Sequence, residues 1–237
     1  MSIGAGATLA REIALEEPVG RREAGKAERR RRIIRAAHDL IRETGNTGLS
    51  MRALAARAGV SLATPYNLFG SKRAILLAVL DDIRDFLDRF GHLRSTDPLE
   101  RLFGALDICV DIYLADPAFY RTIWAALFDP SDDFRSQIFN SKRAAFWEGL
   151  VAELVRTGVI SGDVNTALLF KALDRCFSAS MLEWVTGELT PAQLSPAMRY
   201  SYALMLKGAA SPDWRGPLDQ RIQESQAAIL AGAADGG

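Results

Sequence analysis

Leu49-Ser-Met-Arg-Ala-Leu-Ala-Ala-Arg-Ala-Gly-Val-Ser-Leu-Ala-Thr-Pro-Tyr-Asn-Leu-Phe-Gly-Ser-Lys72 is the stretch on which the reading of the chain turns. Met51, Leu54, Ala55 and Ala58 follow the i, i+3, i+4, i+7 rule of a short helix, and Ser50 stands where a hydroxyl caps its first turn. Gly59 supplies a left-handed stop. Ser61 is placed to cap a second short helix and Ser71 a third, while the small Ala55 lets the first two cross closely. Two short helices joined by a turn of about three or four residues make a helix-turn-helix, a unit whose second helix lies in the DNA major groove.

Outward from this unit, the run from about Lys26 to Asp85 resembles the DNA-binding domain of the tetracycline-repressor (TetR) family of bacterial regulators. The matching pieces are an Arg-rich first helix with Ile33, Ile34, Ala37, Leu40 and Ile41, then Gly45 and Leu-Ser-Met-Arg-Ala-Leu-Ala. Ala-Gly-Val-Ser and Tyr66-Asn67-Leu68-Phe69-Gly70-Ser71-Lys72 follow in order, and together they cover about a quarter of the chain. The resemblance implies a recognition helix near Leu62–Leu68. Leu62, Ala63 and Thr64, next to Ser61, would then meet base edges, and Tyr66 and Asn67 phosphates. Lys72, at a helix N-terminus, adds its charge to free N–H groups, and Ser50 and Arg52 would grip the backbone on the other flank. Pro65 departs from the more usual leucine and biases Thr64 away from helical dihedrals.

Charge supports the same reading. The net charge is zero, yet residues 1–75 hold 14 Lys and Arg against 7 Asp and Glu, and the remainder 15 against 22. A basic end on an acidic body is the expected footprint when only that end meets a polyanion. No apolar run approaches the roughly 18 residues of a transmembrane helix, and Met1 to Gly20 carries Glu12, Glu16 and Glu17 in place of a secretory core, so a cytoplasmic protein with no membrane partner is expected. Two cysteines, Cys109 and Cys176, are too few for a disulfide framework and too isolated for zinc.

The punctuation predicts an all-α chain: a disordered basic arm over 1–24, a helix-turn-helix domain over 25–72, a helical ligand-binding and dimerisation domain over 73–231, and a flexible tail over 232–237. A first helix is expected over 27–44 and a long connecting helix over 71–90. Further helices are expected near 98–115, 117–129, 134–158, 163–187, 191–208 and 217–231, between breakers at Pro98, Pro117, Pro130, Gly158–Gly162 and Gly187–Pro191.

Thirteen of the twenty aromatic residues fall between Leu99 and Thr186. They read either as core or, since the resemblance implies a C-terminal cavity, as the lining of an apolar pocket. The candidates are Phe103, Trp124, Phe128, Phe146, Trp147 and Phe177, with Asp107, Arg121 and Arg175 as orienting polar groups. The apolar face of 163–186 is too wide for a helix packed on one side. With 196–207 it fits the four-helix dimer interface the family uses, represented by Leu169, Ala172, Leu173, Cys176, Ser180, Trp184, Tyr202 and Met205.

Three rival readings stand beside this one. An enzyme finds no support: the chain has no nucleotide-binding glycine loop, no Gly-x-Ser-x-Gly and no His-Glu-x-x-His, and its histidines are His38 and His92 alone. A helical dimer that acts as a scaffold, or a DNA-binding protein with a solid core and no effector, are the others. The expectation is a homodimeric regulator of double-stranded operator DNA, a repressor released by a hydrophobic or aromatic small molecule, with no cofactor and no metal.

Overall fold

The computed structural model describes residues 20–80, 84–128 and 142–234, and the chain separates into two compact units, Met1–His92 and Leu93–Gly237. Eleven α-helices and no strand are found among the described residues, which is the all-α architecture the sequence implied.

In the first unit the helices are α1 (Arg21–Thr44), α2 (Met51–Ala58), α3 (Ala63–Phe69), α4 (Lys72–Leu80) and α5 (Arg84–Gly91). Helix α1 begins six residues before the expected start, inside the segment read as a disordered arm. Apart from Gly25, its first turns are Arg, Glu, Ala and Lys, good helix formers, and Lys26–Glu23 and Arg31–Glu28 are spaced i, i+3 as ion pairs. The rest of that arm, residues 1–19, lies outside the described residues. The expected helix over 71–90 is described as α4 and α5, and residues 81–83 between them also lie outside. Ile33, Ala37 and Ile41 of α1, Leu54 of α2 and Ile75 of α4 are completely buried and form the core. Gly45 ends α1 at φ 60° and Gly59 ends α2 at φ 62°, a backbone region that an L side chain enters only with strain.

The second unit consists of α6 (Pro98–Ala115), α7 (Pro117–Leu127), α8 (Lys142–Arg156), α9 (Thr166–Thr186), α10 (Pro191–Ala209) and α11 (Pro212–Ala234). Asp97, Asp116 and Asn165 each cap the helix that follows, and Thr190 forms a reciprocal capping box with Gln193. Pro98, Pro117 and Pro191 act as helix starters at the first helical position, where a missing N–H removes no bond. Helix α11 starts five residues earlier than expected and runs through Pro217 to Ala234, so 232–234 are helical and not part of a loose tail. It lies antiparallel along α10: Lys207 pairs with Asp219 near one end, and Gly232 abuts Gln193 near the other. Arg221 of α11 also pairs with Glu100 of α6.

Candidate nucleic-acid interface and ligand cavity

Serine hydroxyls cap the first turns of α2 and α4, the helices that flank α3 in the chain. The Ala53 N–H donates to Ser50 Oγ at 3.4 Å, and the Ala74 N–H donates to Ser71 Oγ at 3.1 Å. Ser61 does not cap α3 through the backbone as expected. Its hydroxyl pairs with the Thr64 hydroxyl at 2.8 Å, and Leu62 occupies the N-cap without a side-chain bond. Helix α3 therefore spans Ala63–Phe69, one residue later than expected. Pro65 is buried in its first turn, where the lost N–H is harmless.

Ser50, Arg52, Ser61, Leu62, Ala63, Tyr66, Asn67 and Lys72 are all exposed, and Thr64 is partly so. Leu62 and Tyr66 stand 49% exposed, large apolar surface that no described residue of the first unit covers. Phe69 is partly buried beneath the Arg30 guanidinium, which lies 4.1 Å from the ring centroid. The same guanidinium donates from Nη1 to the Leu68 carbonyl at 2.5 Å. Arg30 thus ties α1 to the last turn of α3 and satisfies a carbonyl that a helix end leaves open. Reading the Arg-rich run only as a charge footprint missed this role. A second tie is Arg57 of α2, which donates to both carboxylate oxygens of Glu43 on α1 at 2.7 Å each. That hydrogen bond holds the Glu43 carboxyl below its usual range.

In the second unit, α6, α7, α8, α9 and α10 leave a cavity of about 820 Å³ between them, its open mouth included. Trp124 and Phe128 line it from α7 and the loop after it, Trp147 from α8, Phe170 and Phe177 from α9, Tyr113 from α6 and Tyr202 from α10. The rings of Tyr113, Trp124 and Phe177 lie 5.7–6.3 Å apart, edge-on or tilted, as aromatic quadrupoles prefer. Polar groups at the wall are Cys109, Asp174 and Ser178. Burial, with the nearby Cys176, Asp174 and Cys109 groups acting in the same direction, pushes the Tyr202 hydroxyl well above its usual range and keeps it protonated. The buried Trp124 indole N–H has no hydrogen-bond acceptor among the described residues.

Of the expected ligand residues, Trp124, Phe128, Trp147 and Phe177 meet at this cavity. The others are placed elsewhere. Phe103 is buried with the Arg199 and Arg221 guanidinium groups over its ring. Asp107 accepts from Ser195 at 2.7 Å and from Arg199 at 2.6 Å, joining α6 to α10. Arg121 lies over the Trp184 ring at 5.0 Å, Phe146 packs edge-on against Trp147, and Arg175 points to solvent. An apolar side chain at helical spacing fits core and cavity equally well, so sequence periodicity does not separate them.

The expected dimer residues divide in the same way. Trp184 is fully buried within its own chain, Ser180 and Leu169 nearly so, and Leu173 and Tyr202 line the cavity; none of these offers a face to a partner. Ala172, Cys176 and Met205 are partly exposed, and Leu168, Leu182 and Leu204 stand out further at 64%, 42% and 45%. No helix among the described residues is long and apolar enough to cross a membrane.

Residues 33–79 match the family model described as bacterial regulatory proteins, tetR family. An uncharacterized HTH-type transcriptional regulator of Mycobacterium tuberculosis is 24% identical over 186 residues, 78% of this chain and 84% of that protein. Among solved structures, RolR in complex with resorcinol is similar with a TM-score of 0.61 at 17% identity, over 84% of this chain and 95% of that one. A TetR-family transcriptional repressor, FadR of Thermus thermophilus in complex with lauroyl-CoA, is similar with a TM-score of 0.60 at 22% identity, over 77% and 97%.

Proposed function

The chain belongs to the tetR family of bacterial regulatory proteins, and from that premise we propose that it is a homodimeric repressor whose grip on operator DNA is released by a hydrophobic, aromatic small molecule. It is a transcriptional regulator and not an enzyme. The observation that carries the finer reading is an exposed α3, tied at its last turn by Arg30, together with an aromatic cavity in the other unit. In this reading Leu62, Ala63 and Thr64 meet base edges, with Ser61 holding the Thr64 hydroxyl. Tyr66, Asn67, Lys72, Ser50 and Arg52 hold phosphates. Trp124, Phe128, Trp147 and Phe177 form the effector wall. Two protomers are needed because half-sites lie about 34–36 Å apart. Leu168, Ala172 and Leu182 of α9, with Leu204 and Met205 of α10, are the surface offered for that pairing. An effector that binds the DNA-free form more tightly lowers operator affinity by linkage.

The test is enrichment from a random duplex library, followed by anisotropy titration of the enriched sequence against competitor DNA at several salt concentrations. One enriched two-fold-symmetric motif, bound through competitor, is expected. Binding that is equally weak on every sequence would refute a sequence-specific regulator.

A further inference from the structure

We infer that α3 reads its operator through the C5-methyl groups of thymine, so that the specific partner is a half-site with T·A pairs facing the first turn of that helix; this rests on the DNA-binding reading above and deepens it. The first observation is composition. Ser61 to Gly70 contains no Lys, Arg, Asp, Glu, Gln or His, and Asn67 is its one amide. In the major groove guanine is read by Arg or Lys, cytosine by a carboxylate and adenine by an amide. The thymine methyl is the apolar feature there, and an aliphatic side chain can meet it.

The second observation is where the apolar groups stand. Leu62, Ala63, Tyr66 and Asn67 are all exposed, and their spacing of i, i+1, i+4 and i+5 makes them one continuous face. The N-terminal residues of a recognition helix are those that meet base edges. Here they are Leu62, 49% exposed, and Ala63. Thr64 is partly exposed, and its hydroxyl is joined to the Ser61 hydroxyl at 2.8 Å. Its polar arm thus has a partner within the protein, and the methyl on the same Cβ is its other arm. An aliphatic surface pressed on the guanine acceptors or the cytosine amino group strips them of water and returns no hydrogen bond, which opposes binding. Against a thymine methyl the same surface sheds only apolar hydration, which favours the contact. T·A pairs in register with Leu62, Ala63 and Thr64 are selected by both effects.

The test uses the full chain and the duplex enriched from the random library. Deoxyuridine in place of thymine deletes the methyl and keeps every hydrogen-bonding group of the base. Placed at the same position of both half-sites, one position at a time, it is expected to weaken binding at one or two positions. The loss should be about fourfold per methyl, or about fifteenfold for the symmetric pair. At those positions 5-methylcytosine should bind better than cytosine by about the same factor. The deoxyuridine loss should shrink to about twofold or less in at least one of Leu62→Ala, Ala63→Gly and Thr64→Ser. A loss equal in wild type and all three variants would place the effect in the duplex itself and overturn the inference. Wild-type binding of every deoxyuridine duplex would overturn it too, and a loss with 7-deazaguanine would then assign the reading to hydrogen bonds from Arg52 or Lys72. In both cases a sequence-specific regulator stands. If no sequence is enriched from the library, that reading fails and this one with it.

Discussion

Removing the Arg30 guanidinium tests whether its charge serves the fold or the phosphates. Arg30→Ala deletes a charge-assisted hydrogen bond to the Leu68 carbonyl and the stacking on Phe69. A hydrogen bond to a charged group contributes about 1.5–3 kcal/mol when part-buried, and a half-exposed cation–π contact about 0.5–1 kcal/mol. Because the freed carbonyl lies near the surface and regains water, a net loss of about 2 kcal/mol from the first unit is the reasonable figure. Denaturant unfolding of the full chain, followed through the first transition that the variant shifts, reads it directly. DNA affinity should fall only as far as α3 loses its docked population, at most about thirtyfold for 2 kcal/mol. The slope of log affinity against log salt should stay unchanged, because the number of phosphates neutralised is the same. A slope that flattens by about one unit, with stability unaltered, would place the Arg30 charge on DNA and refute the clamp.

Lys72→Ala should behave in the opposite manner, weakening all sequences alike and flattening the salt slope by about one unit with no stability change; a wild-type slope would remove Lys72 from the phosphate contacts. Gly45→Ala meets no atom within 4 Å of the new Cβ, so its cost comes from φ 60° alone, about 1 kcal/mol by thermal denaturation, and Gly45→Asn should cost less because asparagine tolerates the left-handed region. The Glu43 carboxyl is held below its usual range by Arg57, so its contribution to stability is present above the ordinary glutamate value and is lost as pH falls through the lowered one. Wild type and Glu43→Gln should therefore differ in melting temperature at pH 7 and converge at acid pH; a gap that widens on acidification would contradict the pairing.

The head of this molecule was legible because its signals are local. Caps, the αL glycines Gly45 and Gly59, and the spacing of Leu54 and Ala58 each act within a few residues of themselves. Ser61 failed as a backbone cap because Thr64 offers a competing hydroxyl three residues on. The role of Arg30 is not legible in the sequence, because one guanidinium serves equally as surface charge, donor to a carbonyl and ring partner, and only the 38-residue separation closed by the fold distinguishes them. In the body the wide apolar face of α9 was visible, but its division was not. Trp184 turns into the chain's own core, Leu173 to the cavity and Leu168 to solvent, and all three are apolar at helical spacing. Whether an arginine is committed, as Arg199 is to Asp107, likewise depends on a residue 92 positions away.

The half-exposed Leu62 and Tyr66 have a thermal consequence. While α3 is empty, both side chains hold a hydration shell that burial against DNA would release, and shedding apolar hydration makes the heat-capacity change of association negative. With a negative heat-capacity change, the binding enthalpy crosses zero at some temperature and the affinity is greatest there. Below that point, complex formation absorbs heat, is driven by the water it frees, and tightens on warming; above it, the grip loosens. The two side chains would thus give the regulator an optimum temperature for holding its operator, independent of any effector.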